Sequence, residues 1–157
     1  MNLLLLIVLQ WLHVFLGIFW FGAVLYSDFV LVPVIQGLKP ATQLEVADPL
    51  GRRTVRVIIP VALGVIVLGV LRGIADGVLS SLGSAYGLTW LTAFVVGCLT
   101  LAWGVWVVTP AINRIGEMEP GSLGLTAAIS RVKVLAFLEL GLFLMILSLM
   151  IALRFGY

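Results

Sequence analysis

Two ionisable side chains lie deep in apolar sequence, and any chemistry this chain performs would have to involve them. His13, the sole histidine, sits in "QWLHVFLGIFWFG", residues 10–22. Glu139 is the single charge between Val134 and Leu153. An ionisable group in a membrane-type segment is expensive to hold there and marks a functional site by default. Imidazole is the commonest metal ligand and exchanges protons near neutral pH, so His13 is read as an axial ligand or proton-transfer group. The plainer alternative is a core histidine bonded to a neighbouring helix. Glu139 is read as a proton carrier or a carboxylate partner to His13 or a ligand, the alternative being a structural buried carboxyl. At about 100° per residue, Gln10, Gly17, Trp20, Ser27 and Asp28 fall within roughly 60° of His13. The polar groups of this segment therefore form one stripe, expected to face the bundle interior or a cavity because lipid cannot satisfy it. Gly17, one turn from His13, leaves room for a flat ligand or for close helix packing.

The elements that position these groups follow from composition. The chain is 62% hydrophobic and 10% charged, outside the range of soluble domains. A spanning helix needs roughly 20 apolar residues, and four stretches qualify: Leu3 to Tyr26, Val57 to about Leu79, Leu88 to Ile112 and Val134 to Leu153. The expected fold is all-α, an integral membrane bundle of four transmembrane helices over residues 3–35, 49–79, 86–115 and 124–155, in one domain with no evident internal repeat. The first segment lacks a basic leader and a small-residue cleavage site, so it is read as a retained helix. Lys39, Arg52, Arg53, Arg56, Arg114, Arg131 and Lys133 fall on one side of such a bundle, Arg72 and Arg154 on the other. That bias puts the richer side in the cytoplasm and both termini outside. The expected location is a bacterial inner membrane, with the lipid bilayer and a second copy or a larger membrane complex as partners. A net charge of +2 gives no case for nucleic acid, and one cysteine, Cys98, excludes an intrachain disulfide or a cysteine cluster.

Local signals refine this picture. In "ADPLGRR", Asp48 reads as an N-cap and Pro49 as the first residue of the second helix. "EMEPGSLG", Glu117 to Gly124, reads as the turn before the fourth. Asp28 is expected to pair with Arg52, Arg53 or Arg56, and Arg72 with Asp76 at i,i+4. Trp90 reads as an interfacial anchor. His13 falls near the midplane of its segment and Glu139 a few residues from the centre of its own, a depth difference on the order of 8 Å at 1.5 Å rise per residue. A water or ligand would bridge that gap more easily than a direct contact. Met145 and Met150 could serve copper with Cys98, but neither i,i+3 nor i,i+4 spacing relates the two methionines.

"LHVFLGIFWFGAVLY" (Leu12 to Tyr26) resembles the first helix of the HemJ-type protoporphyrinogen oxidases and the related copper-resistance D (CopD) membrane domains. "RRTVRVIIPVALGVIVLGVL" (Arg52 to Leu71) is similar to their second helix. The resemblance implies a four-helix membrane protein that binds b-type haem through the first-helix histidine, here His13, or one that handles copper. The family's third-helix lysine has no counterpart in "TWLTAFVVGCLTLAWGVW", and the histidine count excludes a bis-histidine haem within one chain. The expected function is therefore a small haem b protein for electron transfer, gas sensing or haem handling. His13 would be the axial ligand, Gly17 and Trp20 would line the pocket, Glu139 would be a partner group and Arg72 a propionate contact. A copper or small-solute transport protein and a structural accessory subunit are the alternatives. No enzymatic activity is assigned.

Overall fold

The computed structural model describes residues 3–119 and 123–157. Four helices are long and apolar enough to cross a membrane: α1 Leu3–Gln36, α2 Pro40–Ala75, α3 Ala85–Gly116 and α4 Leu123–Arg154. Large apolar side chains cover the outside, with Leu3, Ile18 and Trp106 each more than two-thirds exposed. Water would penalise such a surface, and hydrocarbon does not.

The helices form two antiparallel hairpins, α1 on α2 and α3 on α4, which meet mainly through α2 and α3. Between apolar helices in lipid, close packing replaces hydrophobic driving force, and small residues permit it. Gly64 of α2 admits the Leu16 side chain, Gly69 the His13 ring and Gly73 the Trp90 ring. Trp90 therefore lies against α2, stacked on Phe94 at 6.0 Å, where an interfacial anchor was expected. The tightest core joins α1, α2 and α4 through Trp20, Ala62 and Phe143. Trp20 meets the Phe143 ring edge-on at 4.8 Å, an arrangement aromatic quadrupoles favour. Trp103 Nε1 donates to the Leu135 carbonyl at 3.2 Å and ties α3 to α4.

The second helix starts earlier than its local signals indicate. Its first residue is Pro40, after an extended Lys39, so only Gly37–Lys39 separate α1 from α2. Gln43 Nε2 fixes this short turn by donating to the carbonyls of Gln36 (3.1 Å) and Leu38 (2.8 Å). Pro40 offers the same missing N–H and preset φ that made Pro49 attractive as a start. Pro49 instead lies inside α2, where its ring costs one helical hydrogen bond. Asp48 is no cap: it pairs with Arg52 at 2.5 Å. On the opposite side, Gly77 in the left-handed region (φ 83°) turns the chain, and Ser84 Oγ caps α3 by accepting the Gly87 N–H at 3.1 Å. The turn expected around Pro120, Gly121 and Ser122 lies outside the described residues.

Two wide turns interrupt the regular helices. In α1, residues Ser27–Leu31 form a π-helical turn, with the Val32 N–H bonded to the Ser27 carbonyl. In α3, Gly104–Val108 do the same, with the Thr109 N–H bonded to the Gly104 carbonyl. Pro33 and Pro110 follow immediately. A proline ring in a regular helix clashes with the carbonyl four residues back, and an extra residue in the turn opens that position. The two sites share a local pattern absent from the repeat-free reading of the sequence: residues 26–35, "YSDFVLVPVI", against 103–112, "WGVWVVTPAI".

A Cβ at position 69 would lie 2.9 Å from His13 Cε1, whereas one at Gly141 would meet nothing within 4 Å. Gly69→Ala is expected to destabilise the detergent-solubilised protein by about 1–3 kcal/mol. Gly141→Ala should change it by less than about 0.5 kcal/mol. Equal thermal midpoints for the two variants would contradict the α1–α2 packing.

Candidate functional site

His13 is held by α2 rather than by a cofactor-sized space. Its Nδ1 donates to the Val65 carbonyl at 2.8 Å, and its ring lies over Gly69. That bond fixes the tautomer and leaves Nε2 with its lone pair. Gly17 is half-buried, with open space where a side chain would be. The polar stripe of α1 thus faces inward only in part. His13 contacts α2, Trp20 is buried in the core, and Ser27 and Asp28 face a cavity, but Gln10 is exposed. Asp28 reaches the cavity at the start of the wide turn, on the stripe it shares with Trp20.

That cavity is where the structure gathers polar groups. It encloses about 160 Å³ between the wide turns of α1 and α3 and the middle of α4. Its walls are mostly aliphatic, and its polar lining includes Asp28, Glu139, Ser27, Thr54 and Thr109. Lys133, exposed, stands at its rim. Glu139 is 8% exposed, the one buried ionisable side chain among the described residues. Its Oε1 fits against Gly104, 3.1 Å from where a Cβ would stand, so the start of the α3 wide turn makes room for the carboxyl. Thr109 Oγ1 donates back to the Gly104 carbonyl at 2.8 Å and braces that turn. Among the described residues the Glu139 carboxyl has neither a hydrogen bond nor an ion pair. Asp28 Oδ2 is buried and also lacks a hydrogen-bond partner there.

The salt bridge expected between Asp28 and an arginine of α2 is not formed. Arg52 turns to Asp48 on its own helix, a pairing that orders one fewer element. Arg72 and Asp76 do pair, at 2.8 Å. A second cavity of about 180 Å³ shares Ser27, Val32, Thr54, Val55, Ile112 and Val132 with the first. It continues toward the α1–α2 turn, where Gln36, Gln43, Asp48, Arg52 and Asn113 line it. Together the cavities lead from Glu139 toward the side carrying Lys39 and Arg52.

The residues expected to share one haem pocket fall into two groups. His13 and Arg72 lie with the C-terminal half of α2, and Trp20 and Glu139 border the carboxyl cavity. His13 borders neither cavity. For a tetrapyrrole the donor at His13 is suitable, but the cavities do not adjoin it. Among the described residues no three His, Cys, Asp or Glu side chains come together as a metal ligand set.

No family model, curated protein or solved structure matches this chain. These comparisons neither support nor oppose the likeness of α1 and α2 to the HemJ and CopD proteins.

A buried carboxyl without a partner opposes folding, since burial removes its water and returns no hydrogen bond. Glu139→Leu is therefore expected to leave the thermal midpoint unchanged or raise it. His13→Ala should lower stability by about 1–3 kcal/mol, through the lost bond to Val65 and the space left beside Gly69. A loss for Glu139→Leu as large as a core truncation, about 2–5 kcal/mol, would assign Glu139 to structure instead.

Proposed function

We propose that this chain is a membrane transport protein for a small charged solute, with the Glu139 cavity as its binding site. One observation carries the reading: carboxyl groups from α1 and α4 border a single small cavity inside the apolar bundle, and neither forms an ion pair among the described residues. Ionisable groups in such positions mark ion pathways and proton relays. The adjoining cavity gives the site an approach from the basic-rich side, which the positive-inside rule makes cytoplasmic. The membrane is then a plasma membrane of bacterial type. Helices interrupted at proline beside the site are the usual construction of transporter binding sites, because irregular backbone is tolerated at membrane depth only where protein or a cavity covers it.

A second reading has one observation of its own. The Nδ1–H of His13 is directed to a backbone carbonyl, the same orientation used to present Nε2 to a metal. A haem b or copper ion on Nε2 would then sit at the open flank of α1 beside Gly17, completed by a second copy of the chain or another subunit. His13 would hold the group and Arg72 could meet an acidic substituent. Absorbance of the purified protein separates the two readings, since a Soret band lost in His13→Ala favours the haem.

For the transport reading, proteoliposomes loaded with pH- and cation-sensitive dyes should dissipate an imposed ion gradient. Glu139→Gln should slow this by roughly tenfold or more, as expected when a charged contact in the path is lost. Equal fluxes in wild type and Glu139→Gln, both no faster than empty liposomes, would overturn the proposal.

A further inference from the structure

Resting on the transport reading, we infer that the cargo is a hard monovalent metal cation of the sodium class, held by oxygen atoms of Glu139, Asp28 and the backbone of the two wide turns. The backbone supplies the independent observation. In a regular helix the Asp28 carbonyl would accept the Val32 N–H. That N–H goes instead to Ser27, and the next residue, Pro33, has none. The Val105 carbonyl is left in the same way, because the Thr109 N–H goes to Gly104 and Pro110 follows. Both Asp28 and Val105 border the Glu139 cavity. Two residues whose carbonyls lack the regular helical donor therefore border the same cavity as the two carboxyl groups.

Carbonyl, carboxylate and hydroxyl oxygens are the donors that replace the water shell of hard cations. Freed carbonyls of broken membrane helices coordinate sodium in this manner. The soft donors that would select a transition metal are elsewhere: neither His13 nor Cys98 borders the cavity. With both carboxyls ionised and Lys133 at the rim, one negative charge would remain, a match for a monovalent cation. A proton carrier would need only a carboxyl, and the freed carbonyls would have no part in it.

The test uses the full-length protein in detergent and in proteoliposomes, with radioactive sodium ion as the probe. Wild type should bind it saturably, and sodium chloride should raise the thermal midpoint where choline chloride at equal ionic strength does not. Glu139→Gln should lose the binding, and Asp28→Asn should weaken it about tenfold or more, while circular dichroism stays helical. Asp28→Asn covers the case in which Glu139→Gln does not fold. Pro110→Ala, which restores an N–H beside Val105 and removes no charge, should also weaken binding. Unchanged affinity in Pro110→Ala would overturn the backbone's role. Absence of sodium binding together with a Glu139-dependent proton flux would overturn the sodium inference and leave the transport reading standing. Absence of both would overturn the two together.

Discussion

Within an apolar medium every backbone and side-chain polar group must find its partner inside the protein, and this constraint shapes the whole bundle. The helices satisfy almost all of it along their own length. The exceptions are local: His13 reaches across to the Val65 carbonyl, Trp103 to Leu135, and Thr100 and Thr109 turn their hydroxyls back onto their own helices. As it does for the buried Nε of Arg72, the accounting stays open around the two wide turns. There Pro33 and Pro110 withhold N–H groups, Gly104 clears a space, and Glu139 enters it from α4. Unpartnered carboxyl groups gathered at one cavity of an apolar bundle are the basis for proposing a binding site there.

Much of this architecture is legible in the sequence. The four helices follow from four apolar runs, and the Arg72–Asp76 pair follows from i,i+4 spacing. The depth of Glu139 and its status as an inward-facing group also follow. The start of α2 does not, because two prolines each offer a plausible first position. Choosing between Pro40 and Pro49 depends on Gln43 bridging back to the carbonyls of Gln36 and Leu38, a tertiary contact. The cavity that Asp28 and Glu139 share is not legible in the same way. Helical phase assumes an uninterrupted 3.6-residue period, and the wide turn after Tyr26 shifts everything beyond it. The signal that could have shown this is the matching "YSDFVLVP" and "WGVWVVTP", each ending in proline at the same distance. The recurrence of proline in the same local context marks a built turn.

His13 and Glu139 thus belong to different parts of the molecule. The histidine fastens α1 to α2 through Val65 and Gly69, and its free Nε2 keeps a ligand role open at the flank of the bundle. The carboxylate sits between the hairpins, so a change in their mutual packing would alter its cavity. The narrow α1–α2 turn at Gly37–Lys39 and the proline-terminated wide turns are the places where such a change could be absorbed with least disruption.

If the Glu139 cavity is a transport site, the adjoining cavity must open it to the basic-rich side of the membrane. The most direct measurement of that opening is side-specific labelling of a cysteine at Ala136, which borders the cavity on α4, in a chain whose Cys98 has been replaced by serine. A cysteine at the outward-facing Leu138 is the control. The account predicts that a membrane-impermeant thiol reagent modifies position 136 from the side of the α1–α2 turn and not from the other, and leaves position 138 unmodified. No modification of position 136 from either side, or equal modification of both positions, would contradict it.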